Sequence, residues 1–159
     1  GPSNNVQSKG LELREARESD AEQLLAWQAD LSTRRYFRNP KAPTPQEHFA
    51  WFSRTLIDPN CQLLFLIEGE TSVGAVRLDG PDKRNHWEVS IVVAPECRGR
   101  GIGTAALQLV RCRYNDRYLV AEVLPGNDAS RSAFLKAGFI HNDDRGKYIA
   151  DPGRKGEND

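Results

Sequence analysis

The chain has 159 residues, with 22 basic and 22 acidic side chains and a formal charge of zero. That length supports one domain with a real core, while the charge balance gives no field to recruit nucleic acid or an anionic membrane. Cys61, Cys97 and Cys112 are odd in number and lack metal-ligand spacing, which suits a reducing cytoplasm better than a disulfide scaffold and predicts no metal site.

Residues 1–10 open with Gly1-Pro2-Ser3 and read as a tag remnant or flexible N-terminus. Leu11 to Arg17 alternates apolar and polar residues, a first strand. Ser19 or Asp20 caps a helix reaching about Asp30, with Ala21, Leu24, Leu25 and Leu31 inward. Residues 32–45 are irregular, and a second helix runs from Pro45 to Leu56 with Phe49, Phe52 and Leu56 on its core face. Gln62–Glu68 and Val73–Leu78 form a hairpin turning at Gly69-Glu70-Thr71, and His86–Val93 is a fourth strand. A helix then runs from Gly101 to about Asn115, with Ile102, Ala105, Ala106, Leu109 and Val110 at core spacing. Tyr118–Val123 is a strand that Pro125-Gly126-Asn127 ends. Asp128–Lys136 is a helix closed by Gly138. Phe139-Ile140 and Lys147-Tyr148-Ile149 suggest a last strand pair, and 151–159 reads as a flexible tail. No apolar stretch approaches a membrane span, and no signal peptide is visible. The order predicts one mixed α/β domain over 11–150.

The segment Arg98-Gly99-Arg100-Gly101-Ile102-Gly103-Thr104 joins a strand to a helix. Glycine lets the backbone approach a ligand and adopt positive φ. A helix start leaves N–H groups unpaired and partly positive, so an anion there collects several hydrogen bonds. Arg98 and Arg100 add two charges. A Walker loop would end in Gly-Lys-Ser/Thr, and a dinucleotide fingerprint would space its glycines differently. Cys97, beside this loop, reads as an incidental surface thiol.

Arg98, Gly101 and Gly103 fill the fixed positions of Arg/Gln-x-x-Gly-x-Gly/Ala, so the loop resembles the pyrophosphate loop of GNAT acetyltransferases. A second motif agrees. Ala121-Glu122-Val123, then Asn127, Ala129, Ser130, Phe134 and Gly138-Phe139, is similar to the segment that follows in that family. The resemblance covers about residues 11 to 150. It implies a mixed twisted sheet of about seven strands, splayed between strands 4 and 5 and flanked by about four helices. It also implies acetyl-CoA as cosubstrate. Backbone groups of Ile91, Val92 and Val93 would bond its pantetheine arm as an added strand. Amides of Arg98, Gly99, Arg100, Gly101, Ile102, Gly103 and Thr104 would hold the pyrophosphate. Asn127, Ser130 and Phe134 would close the other side.

Attack by an amine on a thioester needs a proton acceptor, because an alkyl amine of pKa about 10.4 is mostly protonated at neutral pH. Strand alternation puts His86, Glu88, Ser90 and Val92 on one face. A sheet covered on both faces shields Glu88 from water, which suits a base. Glu122 is the rival, and it matches the glutamate used by ribosomal-protein N-acetyltransferases of the superfamily. A structural ion pair would account for either glutamate equally. A backbone N–H near Val92 or Val93 would polarise the thioester carbonyl. Many relatives have tyrosine where Phe134 stands, as general acid. A thiol of pKa about 8.5 leaves without much help, and nothing in the sequence positions Tyr148 as a substitute.

In this family the first two helices and their connection select the acceptor, a small-molecule amine. Here that stretch carries Arg34, Arg35, Arg38 and Lys41 around Tyr36 and Phe37. Arg35, Tyr36, Phe37, Arg38 and His86 are the candidate acceptor contacts, fit for phosphate and for stacking on a ring. Tyr36-Phe37-Arg38-Asn39, Glu47-His48-Phe49-Ala50-Trp51-Phe52 and Val73-Gly74-Ala75-Val76-Arg77-Leu78-Asp79 resemble acetyltransferases of nonulosonic-acid pathways. That resemblance implies a nucleotide-linked amino sugar as acceptor. A peptide or protein α-amine is the alternative enzyme reading. A non-catalytic acetyl-CoA-binding module is the alternative outside enzymes, and the chain is expected as monomer or homodimer.

Overall fold

A computed structural model describes residues 10–30, 33, 39, 41–142 and 147–153. In chain order these form β1 (Leu11–Glu15), α1 (Ala21–Ala29), α2 (Pro45–Leu56), β2 (Cys61–Glu68), β3 (Thr71–Asp79), β4 (His86–Val93), α3 (Ile102–Arg113), β5 (Tyr118–Glu122), α4 (Asp128–Lys136), β6 (Ile140–Asn142) and β7 (Lys147–Ala150). One sheet holds all seven strands in the order β1-β2-β3-β4-β5-β7-β6. Neighbours run antiparallel except β4 and β5, which are parallel. This is the mixed, seven-stranded sheet that the resemblance implies.

Local chemistry sets the helix starts. At α2, Thr44 Oγ1 accepts from the Glu47 N–H at 3.2 Å, and Glu47 Oε1 accepts from the Thr44 N–H at 2.8 Å. This reciprocal cap, with proline at the first helical position, fixes where α2 begins. Asp20 precedes α1 but does not cap it with its side chain. Its carboxylate accepts from Arg14 at 2.9 and 3.0 Å and from the Arg17 N–H at 2.9 Å.

The core lies on both faces of the sheet. Leu64, Phe65, Leu78, Leu107 and Val110 have essentially no exposure, and each such side chain contributes about 2 kcal/mol by leaving water. Helix α3 covers one face, packing on β1, β3 and β4, while α1 and α2 cover the other. Three expected core positions shift. Phe49 is 38% exposed, and His48, Phe52 and Thr55 turn inward instead. Leu25 is half-buried, while Trp27 is buried and stacked on Phe65 at 5.6 Å. Leu109 is also half-buried, and Leu107 takes the deep site on α3. Leu31 lies outside the described residues.

The β4–β5 junction positions the site. β3 pairs with β4 along its length, from Gly74↔Val93 to Asp79↔Glu88. β5 pairs with β4 only at His86↔Tyr118, Trp87↔Leu119 and Glu88↔Val120. From Val89 onward β4 has an open side, and the sheet splays there.

Candidate functional site

A cleft of about 1270 Å³ follows that open side and reaches the glycine loop. The backbone bordering it can be assigned by alternation. Ala94 donates to the Val73 carbonyl at 2.9 Å, and a Cβ built on Gly74 would lie 2.7 Å from the Val92 carbonyl oxygen. Val92 and Ala94 therefore spend their main-chain groups on β3, and those of Ile91 and Val93 face the gap. The expected contact through the Val92 main chain is corrected accordingly.

At the end of β4, Pro95–Cys97 forms one 3₁₀ turn and the loop follows. Gly99 has φ +81 and Gly101 has φ +78, in the left-handed region that glycine enters without strain. Gly101 is the N-cap of α3 and supplies no side-chain acceptor. The first intrahelical bond runs from Ala105 N–H to the Gly101 carbonyl. The N–H groups of Ile102, Gly103 and Thr104 thus have no partner from the helix ladder, the arrangement that suits an oxyanion. Ile102, Gly103 and Thr104 line the cleft together with Arg98, Gly99 and Gly101.

The two arginines separate. Arg98 lines the cleft and donates from Nη2 to Thr33 Oγ1 across it. Arg100 turns the other way and makes a two-oxygen pair with Glu68 on β2, at 2.8 and 3.0 Å. Its side chain is therefore not a second charge in the cleft, and only its main chain stays beside the loop. Cys97 is buried rather than a surface thiol, because the 3₁₀ turn folds it under the loop.

Glu88 and Glu122 both line the cleft. The register Glu88↔Val120 puts Glu88 on the same sheet face as Val120, and two residues on, Glu122 shares that face. Glu88 is half-buried and Glu122 exposed. Asn127 and Ser130 line the opposite wall, but the Asn127 side chain is engaged as the cap of α4, accepting from the Ser130 N–H at 3.3 Å. Phe134 is buried in the same wall, edge-on to Phe139 at 4.9 Å. Tyr148 stacks 6.1 Å behind the Phe134 ring and is itself buried, outside the cleft lining.

His86 is a correction. It sits at the far end of β4 from the loop, with its N–H bonded to Asp82 at 2.8 Å and its ring against Tyr118, and it is not among the lining residues. The strand start that made it look available is the end where β4 and β5 are joined. Arg35, Tyr36, Phe37 and Arg38 lie outside the described residues.

The cleft also contains residues that sequence reasoning passed over. His48 and Trp51 line it from α2, and Arg77 lines it from β3. His48 is buried, with its Nε2 2.8 Å from the Ala21 carbonyl, and burial pulls its pKa below the usual histidine value against that hydrogen bond. Its ring stands beside Trp51 and Phe52 at 5.7 and 5.9 Å. The Arg77 guanidinium lies 5.5 Å from the centre of the Trp51 ring. The available signal was period-2 alternation on β3, which puts Arg77 and Asp79 on one face. Among the described residues no group of three or more His, Cys, Asp or Glu could hold a metal ion, and no helix is long and apolar enough to cross a membrane.

Comparison with known proteins agrees with this geometry. The family model described as acetyltransferase (GNAT) domain matches residues 10–140. An uncharacterised N-acetyltransferase of Methanocaldococcus jannaschii is 35% identical over 97 residues, 58% of this chain. The match spans 61% of that relative's length. Among solved structures, the ribosomal L7/L12 α-N-protein acetyltransferase RimL, in complex with coenzyme A, superposes with TM-score 0.77 at 14% identity, covering 89% of this chain and 94% of that one. The aminoglycoside acetyltransferase AAC(6')-Ib, in complex with coenzyme A and kanamycin, gives TM-score 0.75 at 16% identity, covering 89% and 94%.

Proposed function

The chain belongs to the GNAT acetyltransferase family, and from that premise we propose that it transfers an acetyl group from acetyl-CoA to a primary amine. One observation carries the reading: the open side of β4 runs without interruption into a loop whose helix-start N–H groups lack helical partners. The pyrophosphate binds those N–H groups and Arg98, and the pantetheine arm pairs with the main chain of Ile91 and Val93 as an extra strand. The acetyl group then lies between Glu88 and the Phe134 wall.

The amine nitrogen attacks the thioester carbonyl carbon as a new C–N bond forms. The Val93 N–H, which faces the gap, stabilises the developing oxyanion. The tetrahedral intermediate collapses by breaking the C–S bond, and coenzyme A leaves as thiolate. The amine proton passes to Glu88, directly or through water. Glu122, more exposed on the same face, is the second candidate base. Phe134 has no proton to give and Tyr148 is buried behind it, so the thiolate takes its proton from water.

For the acceptor we propose a nucleotide-linked amino sugar, supported by the basic and aromatic text of residues 34–38 and by Lys41, Trp51 and Arg77 at the acceptor end of the cleft. The second reading, a peptide α-amine, draws on Glu122 and on the likeness to RimL. The test is calorimetry with coenzyme A, then release of its thiol with a UDP-linked 4-amino sugar and with N-terminal peptides. Turnover with the sugar is expected. Binding without turnover on any amine would instead favour a regulatory module, and no heat with coenzyme A would sink the whole reading.

A further inference from the structure

Building on the reading of the cleft as an amine-acetylating site, we infer that Arg77 selects acceptors carrying an anionic oxygen group, phosphate or carboxylate. Arg77 lies in mid-β3, opposite Ser90 and two residues along the ladder from Asp79↔Glu88. Directly opposed residues of an antiparallel pair share a face, so Arg77, Asp79, Ser90 and Glu88 lie on the α1/α2 face of the sheet, and Arg77, Ser90 and Glu88 line the cleft there. The Arg77 and Glu88 positions are diagonal neighbours, with Cβ atoms about 7 Å apart. One hexosamine ring bridges that separation, with its amine toward Glu88 and an anionic substituent toward Arg77.

The guanidinium is held ready. Its Cζ lies over Trp51, 5.5 Å from the ring centre, and Nε donates to Asp79 Oδ2 at 2.7 Å. Among the described residues that is the one hydrogen bond Arg77 makes, so its Nη donors have no described partner, and the residue lines the cleft. An end-on guanidinium matches two oxygens of a phosphate or carboxylate. With its side chain 32% exposed, the group is accessible but partly shielded, which strengthens such a bond over one in bulk water. Arg98, on the loop beyond Val93, serves the cosubstrate end, so the two cations are distinct along β4. A purely structural Arg77, present only to neutralise Asp79 opposite Glu88, would be indifferent to acceptor charge.

The test uses matched amines on sugar, peptide and alkyl skeletons: glucosamine, glucosamine 6-phosphate and glucosaminuronic acid for the sugar set. Wild-type protein, Arg77→Gln and Arg77→Lys are compared. Binding is read by calorimetry on CoA-saturated protein, and kcat and KM are read where acetyl transfer occurs. Wild type should favour at least one anionic amine over its neutral match. Arg77→Gln should lose about tenfold or more of that preference, with coenzyme A affinity unchanged, and Arg77→Lys should fall between. Preference for phosphate alone or carboxylate alone supports the inference and identifies the group. An unchanged preference in Arg77→Gln overturns it, as does a wild type that binds no anionic amine more tightly than its neutral match. Absence of turnover with charge-selective binding intact would count against amine acetylation, not against Arg77.

Discussion

Gly74 offers a direct test of how the β3–β4 pair shapes the gap. A methyl group added there would meet the Val92 carbonyl oxygen at 2.7 Å and the Val93 Cα at 3.5 Å. Both contacts are backbone, so neither can rotate away, and the two strands must part by several tenths of an ångström. Such overpacking costs about 1–3 kcal/mol. For a chain of this size, at about 2–4 °C per kcal/mol, Gly74→Ala should lower Tm by roughly 2–12 °C. The displaced segment is Ile91–Val93, so coenzyme A affinity should also fall, by about tenfold. Gly69→Ala is the control. Its φ of +64 makes any side chain strained, at about 1–2 kcal/mol, but a Cβ there meets nothing within 4 Å, so Tm should drop while affinity holds. Calorimetric melts and coenzyme A titrations on the three proteins decide the matter. Unchanged Tm and affinity in Gly74→Ala would refute the account of the β3–β4 contact.

Glu88→Gln should reduce kcat by about 10²–10⁴-fold with coenzyme A affinity retained; full activity across the pH range would transfer the base role to Glu122 or to neither. Arg100→Ala, which removes the exposed pair with Glu68, should leave Tm nearly unchanged and spare cosubstrate affinity, whereas Arg98→Ala should weaken that affinity. His48 is folded with its pKa depressed by burial, so the unfolded chain binds its proton first as pH drops. Stability from this group is full above the ordinary value near 6.5 and declines below it, and His48→Gln should flatten the fall in Tm between pH 7 and 5. Thiol labelling of the native protein should show one fast cysteine, Cys112, with Cys61 and Cys97 reacting only on unfolding; Cys61 is slow twice over, since burial and the neighbouring Asp79 push its pKa up to about 12.

The loop and α3 were legible because two local signals coincide, glycine spacing in the turn and a 3.6-residue apolar period directly after it. Glu88 was legible from alternation alone. What stayed hidden depends on partners far along the chain. Arg100 looks like a phosphate ligand until Glu68, thirty-two residues away, is seen beside it. Phe49 looks like core until α2 is seen rotated so that His48 reaches the Ala21 carbonyl. Trp51 and Arg77 become a pair only when α2 lies on β3, a contact no window of sequence contains. Periodicity shows that a helix has an inner side, and tertiary packing decides which side that is.

The sheet consists of two leaves, β1 to β4 and β5 to β6, stitched by three residue pairs at one end. Cohesion between the leaves then falls to the helices behind them. α3 leans on β1, β3 and β4, and α4 packs on α3 and on β6. The two helices meet closely at Gly103, where an added Cβ would lie 3.4 Å from the Ala133 Cβ, and Arg111 reaches from α3 to the Ala137 carbonyl at 3.0 Å. The helix pair works as a cross-brace over a seam that main-chain bonding leaves unsewn. Its stiffness sets how far the leaves spread, so a substitution at Arg111 or Ala137, neither of which lines the cleft, can retune it from behind.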